Sequence, residues 1–177
     1  EKPIDASKLF DSINQAVTKS GRGLARLIEV SEVPPTIQHW LTGQNILIVD
    51  DIPSNRSVAS RLLEREGAQT VEAESGEDAL QLMQRHRFDA VLMDLQMPGM
   101  DGVETTQKLR LEFGDDVPVI ALTAGATQSE QRRALTAGMD DFLPKPLSVP
   151  ALVKTLRRLI ELRRGEPLPL FPASGVK

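Results

Sequence analysis

The chain has 177 residues, 40% hydrophobic and 26% charged, with a formal net charge of -4; this composition suits a soluble protein with one full core and some appendages. It has no cysteine and two histidines, His39 and His86, far apart in the chain, which argues against disulfides, thiolate metal sites and a zinc cluster. The acidic balance and an aromatic content of 3% speak against a nucleic-acid surface or stacking platforms for single strands, and no apolar run approaches the ~18 residues that cross a bilayer.

The chain opens at Glu1 with no signal-peptide pattern behind it, and is read as a cytoplasmic fragment of a longer protein. Residues 6–19 place Leu9, Phe10, Ile13 and Val17 at helical spacing, which predicts an amino-terminal helix that buries those four side chains against the rest of the chain or a second copy. Residues 21–43, containing Pro34 and Pro35, read as a linker that includes His39. The segment Gln38-His39-Trp40-Leu41-Thr42-Gly43 is followed by no Gly-rich nucleotide loop.

From Gln44 onward short apolar runs alternate with helical patterns. Strands are expected at Ile46–Val49, Thr70–Ala73, Phe88–Met93, Val117–Leu122 and Asp141–Leu143. Helices are expected at Ser54–Glu66, Gly76–Arg87, Val103–Glu112, Thr127–Ala137 and Val149–Arg164. In the first helix Val58, Leu62 and Leu63 recur at helical spacing, and Gly67 ends it. The arginines Arg157, Arg158, Arg163 and Arg164 read as a solvated face of the last helix, and His86 as an exposed residue between helix and strand. The tail 166–177, with Pro167-Leu-Pro-Leu-Phe-Pro172, is too short to fold alone and either dangles or lies along the domain.

Alternation of this kind predicts an α/β fold: a doubly wound, five-stranded parallel sheet with helices on both faces, over residues 44–165, plus the amino-terminal helical extension. Open parallel sheets carry their chemistry outside the carboxyl ends of the strands. Polar residues interrupt the expected strand ends there: Asp50 and Asp51 after the first, Asp94 after the third, Thr123 after the fourth, Lys145 after the fifth. In VLMDLQMPGMDG, Asp94 ends an apolar strand that delivers it to this edge, and Pro98 and Gly99 turn the chain away.

Two carboxylates about 4 Å apart repel by about 4 kcal/mol at an effective dielectric near 20, so three converging acids call for a cation or shifted pKa values. An all-oxygen site suits Mg2+, with Mn2+ as substitute. Asp51 and Asp94 are assigned direct coordination, the Gln96 backbone carbonyl a third position, and Asp50 a water-mediated one. Asp94 is the candidate nucleophile for phosphorus. Lys145 supplies a positive charge and Thr123 a hydroxyl donor for phosphoryl oxygens.

Ile46-Leu47-Ile48-Val49-Asp50-Asp51, Asp94-Leu-Gln-Met-Pro-Gly-Met-Asp-Gly102, Ala121-Leu-Thr123-Ala124 and Lys145-Pro146 together resemble the receiver domains of two-component response regulators, in order and spacing, across residues 44–165. The resemblance implies a flavodoxin-like sheet in the order 2-1-3-4-5, Mg2+ dependence, and phosphorylation of Asp94 by a phosphohistidine donor. The implied partners are a histidine kinase or a histidine phosphotransfer protein, with no nucleic acid and no membrane contact by this fragment. It also implies a switch in which Thr123 and Phe142 move together, although Phe142 lacks the hydroxyl some relatives carry. Gln96 and Gly125 match positions that tune the dephosphorylation rate in the family.

Lys2-Pro3-Ile4-Asp5-Ala6-Ser7-Lys8-Leu9-Phe10 parallels Lys145-Pro146-Leu147-Ser148-Val149-Pro150-Ala151-Leu152-Val153, so residues 1–20 resemble the last helix of a preceding receiver. Tandem receivers resemble the carboxyl-terminal arm of a hybrid histidine kinase, whose parent protein would be a membrane-anchored sensor. Two competing readings are a receiver-fold module that signals by contact without phosphorylation, and an aspartyl-phosphate hydrolase. The hydrolase would need a second acid where this chain has Gln96.

Overall fold

The computed structural model describes residues 38–125, 127–168 and 171–172. The helix expected at 6–19, the receiver-like segment 1–20 and residues 21–37 of the expected linker lie outside them. The described elements in chain order are β1 (Gln38–His39), β2 (Asn45–Val49), α1 (Pro53–Arg65), β3 (Gln69–Ala73), α2 (Gly76–Arg85), β4 (Ala90–Asp94), α3 (Gly102–Phe113), β5 (Val119–Thr123), α4 (Gln128–Thr136), β6 (Asp141–Pro144), α5 (Val149–Arg164) and β7 (Phe171–Pro172).

Strands β2 to β6 form one parallel sheet in the spatial order β3-β2-β4-β5-β6, the 2-1-3-4-5 arrangement expected. The central strands read as continuous apolar runs because helices cover both faces. Alternate residues divide between two cores. Ile46, Ile48, Leu92, Ile120 and Leu122 pack with Leu63, Leu152 and Leu156 on one side. Leu47, Val49, Val91, Met93, Val119 and Ala121 pack with Ala79, Met83 and Leu109 on the other.

Helix starts carry matching chemistry. Ser75, Asp101 and Thr127 each accept a hydrogen bond from a backbone N–H in the first turn of α2, α3 and α4, and Thr127 with Glu130 completes a capping box. Gly102 is required for packing: a Cβ there would collide with the carbonyl oxygen of Asp94, so its absence lets α3 approach the end of β4.

The domain is longer at both ends than the alternating pattern suggests. Leu41, within the expected linker, is fully buried in the first core together with Leu168 of the tail. The His39 ring nitrogen Nδ1 lies 3.1 Å from the Arg65 carbonyl. β1 and β7 pair antiparallel, Gln38 with Pro172 and His39 with Phe171, so the described part of the tail lies along the domain. Leu41→Ala should therefore destabilise the fold by about 2–5 kcal/mol, read as a lowered urea midpoint; an unchanged midpoint would return this segment to the linker.

One expectation about a helix face is corrected. Val58 is 56% exposed, because α1 packs through Ala59, Ser60 and Leu63; Val58 instead borders a cleft with Asp50, Lys145, Pro146 and Leu147. Arg158, Arg163 and Arg164 on α5 are exposed, as expected of a solvated face, and all four arginines also form ion pairs. Arg157 pairs with Glu161, Arg158 with Asp141, Arg163 with Asp140 and Arg164 with Asp89. Arg157 also donates to the carbonyls of Trp40 and Leu168 at 2.8 and 2.9 Å, tying the two chain segments to α5.

Candidate functional site

The carboxyl ends of the parallel strands bring the acids together. β2 runs into Asp50 and Asp51, β4 ends on Asp94, β5 ends on Thr123, and Lys145 follows β6. Carboxylate oxygens of Asp50, Asp51 and Asp94 all lie within 4.8 Å of one another. The Lys145 ammonium bridges two of them, 2.7 Å from Asp50 Oδ2 and 3.1 Å from Asp94 Oδ2. The Lys145–Pro146 peptide is cis.

Asp50 is 1% exposed and fully engaged. Its Oδ1 accepts from the Ile52 N–H at 2.9 Å and from Asn55 Nδ2 at 3.2 Å; its Oδ2 accepts from Asn55 Nδ2 at 3.2 Å and from Lys145. Asp94 is 5% exposed, and its Oδ1 accepts from the Gln96 N–H at 3.4 Å. Asp51 is half-buried, and its carboxylate has no hydrogen bond or ion pair among the described residues.

Burial pushes the Asp94 carboxyl above its ordinary pKa; the Lys145 hydrogen bond and charge and the Gln96 N–H oppose this, while the Asp50 charge adds to it. For Lys145 burial acts to lower the pKa, but the hydrogen bonds and attraction to Asp50 and Asp94 carry it above the ordinary value. A carboxyl whose folded pKa is raised favours folding most below its unfolded value and loses that contribution as pH rises through the folded value. In metal-free protein, Asp94→Asn should thus gain stability relative to wild type as pH rises from about 4 toward 7. Urea midpoints of both proteins across that range test it; a pH-independent difference would contradict it.

The remaining expected site residues are placed as follows. The Thr123 hydroxyl donates to the Gly125 carbonyl at 2.9 Å and accepts from the Gly125 N–H at 3.2 Å. Phe142, opposite Ala121 across the β5–β6 pair, is half-buried against the second core. The Gln96 side chain donates to Glu130 Oε1 at 3.4 Å, away from the hydrogen bond its backbone makes with Asp94. His86 is exposed, as expected.

The sequence reading missed Asn55 and Arg56. Asn55 donates to both Asp50 oxygens, and Arg56 Nη1 donates to the Asp50 carbonyl at 2.6 Å. Their signal was weak: a polar pair in the first turn of α1 looks like ordinary helix surface until the strand before it is known to end in an acid.

The sequence model of the response regulator receiver domain matches residues 46–157. The chain is 41% identical over 157 residues to the sensor protein GacS of Pseudomonas syringae pv. syringae, covering 85% of this chain and 17% of that protein. It is 42% identical over 111 residues to the sensor histidine kinase RcsC of Salmonella typhi, covering 63% of this chain and 12% of that protein. It thus spans under one fifth of either relative. Among solved structures, the receiver domain of sensor histidine kinase PA1611 from Pseudomonas aeruginosa PAO1, with magnesium coordinated in its active-site cleft, is 40% identical. Its TM-score is 0.63, with 67% of this chain and 98% of that one covered. Strand order, the acids and lysine at one sheet edge, and the matched span all agree: this chain belongs to the response regulator receiver domain family.

Proposed function

We propose that this domain is the phosphoacceptor of a two-component phosphorelay, taking a phosphoryl group from a phosphohistidine onto Asp94 in a Mg2+-dependent reaction. The observation that carries this reading is the bridging of Asp50 and Asp94 by Lys145 at the rim of a three-acid cluster. In the attack, an Asp94 carboxylate oxygen bonds to phosphorus, the P–N bond breaks, and the imidazole nitrogen keeps the electron pair.

The donor set fits a hard divalent cation. It is all oxygen, anionic, and includes the unengaged Asp51 carboxylate. Asp51, Asp94 and the Gln96 carbonyl would hold Mg2+ or Mn2+, with Asp50 acting through water; the ion would neutralise phosphoryl oxygens during transfer. Lys145, already 3.1 Å from Asp94 Oδ2, would pair with a phosphoryl oxygen. The Thr123 hydroxyl would exchange its Gly125 carbonyl for another, and Phe142 would follow it as the switch. The solved PA1611 receiver, with magnesium coordinated in its active-site cleft, supports the same metal here.

The relatives support a hybrid sensor histidine kinase as the parent protein. The aligned stretch with GacS is longer than the receiver match, and residues 1–20 as the end of a preceding receiver would suit such a parent. In that setting the domain works in the cytoplasm, and its partners are a histidine kinase or a histidine phosphotransfer protein. A radiolabelled histidine phosphotransfer protein mixed with this chain should lose label to it when Mg2+ is present. Label retained on the histidine, with a control receiver accepting it, would favour signalling by contact alone; steady release of phosphate from added phosphomonoesters would favour a hydrolase.

A further inference from the structure

We propose that Arg56 is a positioning residue for Asp51, holding it ready to ligate the divalent cation; this rests on the metal-dependent reading above. Asp51 sits between two pinned peptide groups. The carbonyl of the preceding peptide, on Asp50, accepts from Arg56 Nη1 at 2.6 Å. The N–H of the following peptide, on Ile52, donates to Asp50 Oδ1 at 2.9 Å. The main chain on both sides of Asp51 is therefore fixed, while its carboxylate is left free within the acid cluster.

Arg56 is itself held. Its side chain is 11% exposed, and its Nε donates to Glu72 Oε2 on β3 at 3.2 Å. The guanidinium fork thus spans α1, the end of β2 and the neighbouring strand, which a single ammonium cannot do with the same geometry. Asp50 cannot replace Asp51 as the free ligand, because both its oxygens are occupied by Ile52, Asn55 and Lys145. The division of labour follows: Asp50 orders the loop and anchors Lys145, Asp51 meets the metal, and Arg56 sets where Asp51 stands.

Charge and position make opposite predictions. A guanidinium close to a cation site repels the cation, so if only its charge mattered, deleting Arg56 would tighten metal binding. If it positions Asp51, deleting it lets the loop relax and weakens binding, as loss of residues supporting metal ligands commonly does.

The test titrates Mn2+ into the full chain and follows free Mn2+ by electron paramagnetic resonance, with circular dichroism confirming that each variant is folded. Arg56→Ala should raise the Mn2+ Kd about 10-fold. Arg56→Lys keeps the charge but loses the fork, and should raise it roughly 3-fold. An unchanged or lowered Kd in Arg56→Ala overturns the proposal; should that variant not fold, an unchanged Kd in Arg56→Lys does so. Wild type that binds no Mn2+ would instead sink the metal-dependent reading. Binding that is lost in Asp51→Asn but intact in both Arg56 variants would sink the positioning role alone.

Discussion

Asp94→Asn should take up no phosphoryl group from acetyl phosphate and Mg2+, where the wild type gains one that base and hydroxylamine remove. The substitution keeps the side chain's shape, and its remaining oxygen can still accept from the Gln96 N–H that now bonds Asp94 Oδ1. What it loses is the nucleophilic carboxylate. Deleting a nucleophile lowers covalent transfer by more than about 1,000-fold, so labelling should fall to background while the fold survives. Asp50→Asn is the comparison variant: Asp50 lies in the same cluster and anchors Lys145, so its loss should slow labelling while leaving the acceptor at 94. A variant with Asn at 94 that still labels at the wild-type rate would move the acceptor elsewhere.

Lys145→Ala should act twice, on stability and on transfer. Lys145 is the cation shared by two buried acids, and removing one partner of a buried ion pair costs about 3–5 kcal/mol. Its partial exposure, and the hydrogen bond that Asp94 keeps from the Gln96 N–H, place the expected loss toward the lower end of that range. Adding Mg2+ should restore more stability to the variant than to wild type, since a dication replaces the missing charge and no ammonium competes for Asp94. Labelling by acetyl phosphate should drop about 100-fold or more, the usual scale for losing one preorganised donor to developing phosphoryl charge. Thermal melts with and without Mg2+ and timed intact-mass measurements read both effects. A stability equal to wild type without metal would mean that the bridge is not a structural ion pair.

The sheet was legible because its strands are uninterrupted apolar runs of a length that only a two-sided burial explains. The site was legible because polar residues break those runs at the same end each time: Asp50, Asp94, Thr123 and Lys145 stand out against Val49, Met93, Leu122 and Leu143. Supporting residues carry no such contrast. Asn55 and Arg56 sit in a helix turn where polar residues are the rule, and Glu72 alternates outward on β3 as any edge residue does. Leu41 falls within the expected linker because a lone leucine among polar residues has no period to detect. β1 and β7 contain two residues each, too few for an alternation, and their pairing depends on contacts far apart in the chain. Val58 shared the spacing of Leu62 and Leu63, but periodicity does not fix how wide the buried stripe is, and here it ends one residue short.

The most direct measurement of the central claim traps the acyl phosphate chemically. Borohydride reduction of the labelled protein converts a phosphorylated aspartate to homoserine, which peptide mass spectrometry locates. Homoserine at position 94 is expected after incubation with acetyl phosphate and Mg2+, and none when a chelator replaces the metal. Homoserine at another aspartate, or equal conversion at 94 without a divalent ion, would contradict the account.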